Sequence, residues 1–295
     1  MEYLIETKNL SKRFGQKIAV DSVNVHLAKG EIYGLIGKNG AGKTTLMKLL
    51  LGLANPSEGE IIMFGGEKLN DCRKKIGSLI EVPGFYKNES AFENLKRFAI
   101  LSPASDEKIN EILSFVGLAD VGKKKAGSFS LGMKQRLGIA IALLGDPEIL
   151  ILDEPINGLD PTGIKEIRNI ILKLNKKGVT FMISSHLLDE LSKIATTYGI
   201  VNNGKLEEIS AEELSEKCKS YIKLKVDDTE KAINVIKEFD EKIDGEVNGN
   251  EIKFINDNIF TAKLNKALVE NGVSVFELKV EKVDFEDFFI EKVGK

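Results

Sequence analysis

A nine-residue glycine-rich segment, GKNGAGKTT (37–45), constrains this chain more than any other part of its 295 residues. It fits the pattern GxxxxGK[ST], and it lies between an apolar run, EIYGLI (31–36), and an apolar helical pattern, TTLMKLLLGL (44–53). Strand, loop and helix together are the context that this motif requires. The glycines let successive backbone N–H groups point into one concave nest, and the helix N-terminus favours an anion there. The segment therefore predicts a nucleotide-phosphate site.

The loop also supplies two side chains with distinct expected roles. Lys43 would reach the β- and γ-phosphates of ATP, and the Thr44 hydroxyl would ligate Mg²⁺. A glycine-rich turn that binds no ligand is the alternative. The loop alone does not separate kinases, GTPases and transport ATPases. The residues expected to contact nucleotide here are Gly37, Asn39, Gly40, Ala41, Gly42, Lys43, Thr44 and Thr45.

Two adjacent acids, Asp153 and Glu154, end the apolar run ILILDEP (149–155). Ligands of open α/β sheets bind at the carboxyl ends of strands, and acids near a buried strand are costly unless something uses them. We expect Asp153 to hold Mg²⁺ and Glu154 to polarise the water that attacks the γ-phosphate. The alternative is a pair of acids that ends a strand in solvent.

A histidine follows another apolar run, VTFMISS (179–185). At a strand end of the same sheet, His186 could contact the γ-phosphate and steady the attacking water. An ordinary residue at the start of the helical pattern HLLDELSKI is the alternative.

The segment FSLGMKQR (129–136) resembles the signature motif of ABC ATPases, whose common form is LSGGQ. Ser130 and Gly132 keep the key positions, whereas Leu131 and Met133 depart from the commonest residues. The resemblance covers residues 1–210 and rests on five motifs in the family's order. They are GKNGAGKTT (37–45), FSLGMKQR (129–136), ILILDEP (149–155), NGLDP (157–161) and SSH (184–186).

The resemblance implies a homodimer that sandwiches two ATP molecules. Ser130 and Gly132, at a helix start, would offer a hydroxyl, N–H groups and a positive helix end to the γ-phosphate held by the other subunit. Asp160 would lie along that interface and link the two sites. Phe14 would stack on adenine. Taken without the family, the signature serine is equally an ordinary helix cap, and Phe14 is a core aromatic.

Glu81, in IGSLIEV (76–82), stands where the family normally has Gln. A carboxylate can also bind Mg²⁺, although it adds negative charge near the other two acids. The alternative is a plain surface glutamate. This Glu and the signature segment resemble the bacitracin-type and lantibiotic-immunity exporters. The resemblance thus implies an ATPase that powers a separate integral membrane permease and exports an antimicrobial peptide; a soluble ABC ATPase that switches with nucleotide is the competing function.

Charge and hydropathy limit the partners. A net charge of −3 gives no reason to expect the concentrated basic face that nucleic acid binding needs, so we expect no nucleic acid partner. The longest apolar runs are far below the roughly 18–20 residues that span a bilayer, and the first residues lack a signal-peptide pattern. We therefore expect a cytoplasmic protein, peripheral on the inner face of the membrane.

The pattern along the chain predicts two domains. Residues 1–210 alternate apolar strands and helical periods, as a mostly parallel α/β sheet does, with an antiparallel β edge at LIETKNL (4–10) and VNVHL (23–27) and a helical subdomain at about 89–145. Residues 219–295 read βαββαβ, which predicts a small α+β ferredoxin-like accessory domain.

Overall fold

The computed structural model describes residues 2–218, 220–239, 245–255, 261–282 and 285–294. The chain divides into two compact units, Met1–Ala211 and Glu212–Lys295. No helix in the described part of the chain is long and apolar enough to cross a membrane.

Ten strands belong to the first unit. They are β1 (Tyr3–Phe14), β2 (Lys17–Val23), β3 (His26–Ala28), β4 (Ile32–Ile36), β5 (Glu58–Met63), β6 (Ile76–Leu79), β7 (Ile149–Asp153), β8 (Thr180–Ser185), β9 (Thr197–Asn202) and β10 (Lys205–Ser210). Its helices are α1 (Lys43–Leu50), α2 (Leu69–Lys74), α3 (Ala91–Phe98), α4 (Asp106–Phe115), α5 (Leu131–Ala142), α6 (Pro161–Asn175) and α7 (Leu188–Leu191). Short 3₁₀ turns cover Ala119–Val121 and Ala126–Ser128.

Six strands form the central sheet, in the order β10-β9-β4-β8-β7-β6. All neighbours are parallel except β10, which runs antiparallel to β9. Every residue of β4, β7 and β8 is buried, as expected for strands covered on both faces. The three run side by side, so their carboxyl ends meet at one edge of the sheet.

A second sheet of the first unit is antiparallel and contains β2, β1, β3 and β5. The predicted antiparallel β edge is confirmed, and it forms a sheet of its own. The predicted strand at 23–27 is divided between β2 and β3. At the division the Thr7 hydroxyl donates to Val23 O (2.9 Å) and accepts from Val25 N (2.8 Å), which interrupts the backbone ladder. Side chains of both sheets, such as Leu10 and Ile151, share one hydrophobic core.

Three helices, α3, α4 and α5, fill the interval in which the strands stop, and the predicted helical subdomain is confirmed as part of the fold. The start of α3 carries a capping box: the Ser90 side chain accepts from Glu93 N, and the Glu93 carboxylate accepts from Ser90 N. This reciprocal pair satisfies two N–H groups that a helix start otherwise leaves free.

The second unit contains four strands and begins within α8 (Ala211–Lys217). Its elements are β11 (Ser220–Val226), α9 (Thr229–Phe239), β12 (Glu246–Asn248), β13 (Glu251–Ile255), α10 (Thr261–Glu270), β14 (Val275–Lys282) and α11 (Phe285–Gly294). The sheet order is β12-β13-β11-β14 with antiparallel pairing throughout. β13 lies between β11 and β12, the two strands that α9 connects, as the βαββαβ order requires. The predicted ferredoxin-like fold is confirmed.

Candidate active site

A cleft of about 330 Å³ opens at the edge where β4, β7 and β8 end. The loop after β4, the first turn of α1 and the end of β7 contribute most of its walls. Its lining residues are Phe14, Lys17, Ala19, Asn39, Gly40, Gly42, Lys43, Thr44, Thr45, Asp153 and Glu154. The phosphate loop and both predicted acids therefore face one space.

Two glycines of the loop are required by close backbone approach. Gly42 has φ 121°, and a Cβ there would lie 2.3 Å from the carbonyl oxygen of Ala19. A Cβ on Gly37 would lie 2.5 Å from the carbonyl oxygen of Val201. Distances below 3.0 Å are not found for real Cβ atoms, so only glycine lets the loop pack at these points.

Lys43 is the only lysine among the buried residues of the described chain, with 6% of its surface exposed. Its Nζ donates to the carbonyl oxygens of Gly37 (2.6 Å) and Lys38 (3.3 Å) and lies 3.8 Å from Glu154 Oε1. Burial lowers the pKa of Lys43, against the opposing effect of the carboxylates of Glu154 and Asp153. The loop thus holds a cation over its own carbonyl groups, beside the cleft.

Asp153 is buried, and both of its carboxylate oxygens accept hydrogen bonds. Its Oδ1 accepts from the Ser184 hydroxyl (2.5 Å), and its Oδ2 accepts from the Thr44 hydroxyl (2.8 Å). Asp153 and Ser184 are direct neighbours across β7 and β8. A carboxylate and a hydroxyl are consequently fixed next to each other at the mouth of the phosphate loop.

Glu154 has a different environment. Its backbone φ is 50°, in the left-handed region that non-glycine residues rarely adopt. The backbone N–H donates to Ser184 Oγ at 2.8 Å, and carboxylate Oε2 lies 2.8 Å from Nδ1 of His186. The other oxygen, Oε1, is buried without a hydrogen-bond partner in the described chain. A strained backbone and an unsatisfied buried acceptor are features expected of a functional carboxylate.

These donors fit Mg²⁺. The described residues hold no group of three or more His, Cys, Asp or Glu side chains arranged for a metal. Mg²⁺, however, commonly takes one or two protein oxygens together with substrate phosphates and water. The paired Thr44 hydroxyl and Asp153 carboxylate match that need.

Comparison with known proteins identifies the family. The model of the ABC transporter family matches residues 20–157. The bacitracin transport ATP-binding protein BcrA of Bacillus licheniformis is 42% identical over 301 residues, which cover 100% of this chain and 98% of that protein. This chain belongs to the ABC transporter ATP-binding proteins. It is the subunit that binds and hydrolyses ATP, and such subunits pair with membrane permeases.

Two further ABC proteins show the extent of the likeness. The lantibiotic transport ATP-binding protein SrtF of Streptococcus pyogenes is 46% identical over 203 residues, covering 69% of this chain and 89% of that protein. A nucleotide-free ATP-binding cassette from an ABC transporter superposes with a TM-score of 0.66 at 28% identity, covering 73% of this chain and 94% of that one. The resemblance to bacitracin-type and lantibiotic proteins is confirmed.

Three predicted ABC residues lie outside the cleft lining. Ser130 caps α5, with its side chain accepting from Met133 N at 3.3 Å, and Gly132 lies in the first turn of that helix. Asp160 caps α6 and accepts from Gly163 N at 2.9 Å. Ser130 and Asp160 are exposed. The cleft of a single chain thus does not include the signature segment.

Phe14 and Glu81 differ in where they face. Phe14 is 55% exposed and lines the cleft, so it is not a core aromatic. Glu81 follows β6 and its Oε1 pairs with Lys48 Nζ at 2.7 Å, with 61% of its side chain exposed. The structure brings Phe14 to the phosphate loop, but it does not bring Glu81 to Asp153.

Sequence reasoning overlooked Ser184, Lys17 and Ala19. Ser184 holds both the Asp153 carboxylate and the Glu154 backbone, and its only signal was its place in the SSH segment. Lys17 and Ala19 line the cleft beside Phe14. The alternative for His186, an ordinary residue at the start of a helix, does not fit, because α7 begins at Leu188. The His186 ring lies beside Glu154, and its contact with a phosphate stays a prediction.

Proposed function

We propose that two copies of this chain hydrolyse MgATP at shared sites and power a separate membrane permease that exports an antimicrobial peptide. Residues 1–210 are the ATP-binding domain in this proposal, and residues 219–295 are an accessory domain. The subunit works in the cytoplasm, held on the inner face of the membrane by its permease.

The single observation that carries the hydrolytic proposal is the environment of Glu154. His186 binds one carboxylate oxygen, and the other oxygen lacks a hydrogen-bond partner in the described chain, 3.8 Å from the Lys43 ammonium. A carboxylate so placed can accept a proton from water at the γ-phosphate position. His186, fixed by the same contact, is placed to orient that water and the phosphate.

The remaining groups of the cleft bind different parts of MgATP. The loop N–H groups of residues 37–45 and the Lys43 ammonium bind the β- and γ-phosphates, and the ring of Phe14 stacks on adenine. Mg²⁺, held by Thr44 and Asp153, would neutralise charge on the phosphates. Because Phe14 offers only a ring face, the proposal includes loose selectivity among purine nucleotides.

Two exposed helix caps support the proposed dimer. Ser130 and Asp160 are exposed caps of long helices, outside the cleft lining. In the proposed pair, Ser130 and Gly132 of each copy close over the γ-phosphate in the cleft of the other. Asp160 lies along the same interface.

The proposed cargo is supported by the relatives, and the proposed role of Glu81 requires a change in its contacts. Two relatives, the bacitracin and lantibiotic transport ATP-binding proteins, favour a peptide antibiotic. For Glu81 to ligate Mg²⁺, its carboxylate must leave Lys48. We propose that it does so only in the closed nucleotide-bound pair.

Replacement of Glu154 by Gln tests the proposal. Glu154→Gln keeps the shape but removes the proton acceptor, so steady-state hydrolysis should fall by about 10²–10⁴-fold while ATP binding persists. Sedimentation with MgATP should show a trapped dimer. Glu148→Gln, at an exposed glutamate just before β7, is the matched control and should behave as the wild type. Unchanged hydrolysis in Glu154→Gln would refute the assigned base.

A cellular experiment tests the cargo. Loss of the chain should make its own cells more sensitive to bacitracin-like or lantibiotic peptides. Wild-type protein should restore resistance, and Glu154→Gln should not. Equal sensitivity with and without the chain would remove the peptide from the proposal and leave the ATPase assignment standing.

A further inference from the structure

The two edges of the second unit's sheet are unequal. At one edge β12 has three residues, and at the other β14 has eight. Among the described residues β14 pairs with one strand, β11. Short edge strands resist pairing with other chains, whereas a long edge presents a row of free N–H and C=O groups. β14 is therefore the edge at which this sheet could be extended.

β14 also exposes apolar side chains. Phe276 is 63% exposed and Val280 is 54% exposed. Strand alternation places Val280 on the face of Leu278, which packs against the core of this unit. Alternation breaks at Phe276, since Val275 also packs against that core. The register of β14 on β11 is irregular beside Phe276, which has no cross-strand partner there. A long edge strand with exposed apolar side chains is a predicted site of pairing with another strand.

The opposite face of β14 carries alternating charges. Glu277, Lys279 and Glu281 point to this side, opposite Lys225, Lys223 and Tyr221 of β11. Lys279 Nζ lies 3.0 Å from Glu281 Oε1. Charges on an edge repel most incoming strands. They admit a strand that places opposite charges against them.

We propose that β14 pairs antiparallel with β14 of a second copy of this chain, about a two-fold axis next to Leu278. In that register Leu278 faces Leu278 of the second copy. Phe276 faces Val280, and Glu277 faces Lys279, each in both directions as an isologous contact requires. The two four-stranded sheets become one eight-stranded sheet.

Neighbouring registers satisfy fewer of these groups. With the axis next to Lys279, that lysine would face itself and Glu277 would face Glu281, which places like charges together. With the axis next to Val280, Lys279 would face Glu281, but Phe276 would lie outside the pair. Only the Leu278 axis pairs both the exposed apolar residues and the opposite charges.

Sedimentation of the full chain without nucleotide tests the contact. The ATP sandwich cannot form under these conditions, so a dimer reports β14 alone, and its absence would overturn this inference without touching the proposed ATPase site. Phe276→Ser should weaken self-association by at least about tenfold, as expected for loss of an apolar anchor. Val247→Ser, at an exposed apolar residue of β12, is the control and should leave the dimer intact.

Charge reversal tests the register. Glu277→Lys places two lysines together in the dimer, and Lys279→Glu places two glutamates together, so each variant alone should lose dimer. A one-to-one mixture of the two variants restores an opposite charge at every position and should recover it. Recovery in the mixture cannot come from a change in the stability of either chain. Failure of the mixture to pair would overturn the register.

A disulfide locates the axis. Residues that face each other across antiparallel strands have Cα atoms about 4.5–5.5 Å apart, within the range for a disulfide. Leu278→Cys should therefore cross-link to itself under mild oxidation, and the wild-type chain, with Cys72 and Cys218, should not. Cross-linking of Val280→Cys in place of Leu278→Cys would show the alternative axis and contradict the proposal.

Discussion

The mostly parallel sheet of the first unit buries polar groups at its carboxyl edge, whereas the antiparallel sheet of the second unit keeps its charges out of its core. At the carboxyl edge of the parallel sheet lie a buried lysine, a glutamate with φ 50° and a buried oxygen without a hydrogen-bond partner among the described residues. The core of the second unit is apolar, and its charges stand on the outer face in pairs such as Lys223 and Glu251, 3.1 Å apart. Folding alone accounts for the second arrangement.

The difference shows which part of the molecule contains groups that lower the stability of the fold. An unsatisfied buried polar atom or a strained backbone costs of order 1–3 kcal/mol per feature, and a buried charge costs more. In the first unit these features meet at Lys43, Asp153 and Glu154. Residues there should therefore affect chemistry more than stability, and residues of the second core should do the reverse.

The largest expected effect is on stability. Leu224 is fully buried in the core of the second unit, and Leu224→Ala should lower the free energy of unfolding of that unit by about 2–5 kcal/mol. Denaturant unfolding measures it, and ATP hydrolysis should stay unchanged. Ile255→Ala, at an exposed residue of β13, is the control. A parallel loss of hydrolysis would break the contrast between the two regions.

His186→Ala should have the next largest effect, on catalysis. Loss of a group positioned at the reacting phosphate typically lowers kcat by about 10²–10³-fold. Steady-state turnover and ATP affinity, measured together, should show lower kcat with binding retained. His26→Ala replaces the other histidine, which bonds Glu208, and should leave turnover unaffected. Loss of ATP binding in His186→Ala would argue against a role confined to hydrolysis.

Ser184→Ala should give a smaller loss. It removes one hydrogen bond from Asp153 and one from the Glu154 backbone, and an unsatisfied buried group costs about 1–3 kcal/mol. We expect slower hydrolysis and a higher Mg²⁺ requirement. Ser11→Ala removes a buried hydroxyl from the antiparallel sheet of the same unit, and it should lower stability only. If both variants hydrolysed ATP equally well, Ser184 would not position the acids.

The smallest expected effect depends on pH. Burial, then the Glu208 carboxylate, raises the pKa of Tyr33 well above its usual 10.0. Above pH 10 the unfolded chain loses this proton while the folded chain keeps it, so the free energy of unfolding falls with rising pH. Tyr33→Phe should make that fall shallower, at a cost of about 1 kcal/mol near pH 8 for the lost hydrogen bond. Identical slopes in both proteins would exclude Tyr33 as a source.

Local motifs allowed much of this molecule to be predicted. The phosphate loop, the buried strands and the βαββαβ order depend on spacing within short segments, and the structure has each of them. The antiparallel pairing of β11 with β14 also follows from that order. Such features are readable because periodicity acts locally.

Features that depend on two distant segments could not be read in the same way. Ser184 touches Asp153 only because β7 and β8 are neighbours in register. The contact between Glu81 and Lys48 depends on how the segment after β6 meets α1. The roles assigned to Glu81, His186 and the signature residues stay predictions, since each concerns a nucleotide-bound state.

The carbonyl contacts of Lys43 have a consequence for the end of the reaction cycle. Its ammonium already has two oxygen partners within the loop, at 2.6 and 3.3 Å. When phosphate leaves, the ammonium therefore keeps hydrogen-bond partners. Without them, a buried charge would have a large desolvation free energy. Because the loop carbonyl groups compete with the phosphates for this ammonium, they weaken the binding of ADP and favour its exchange for ATP.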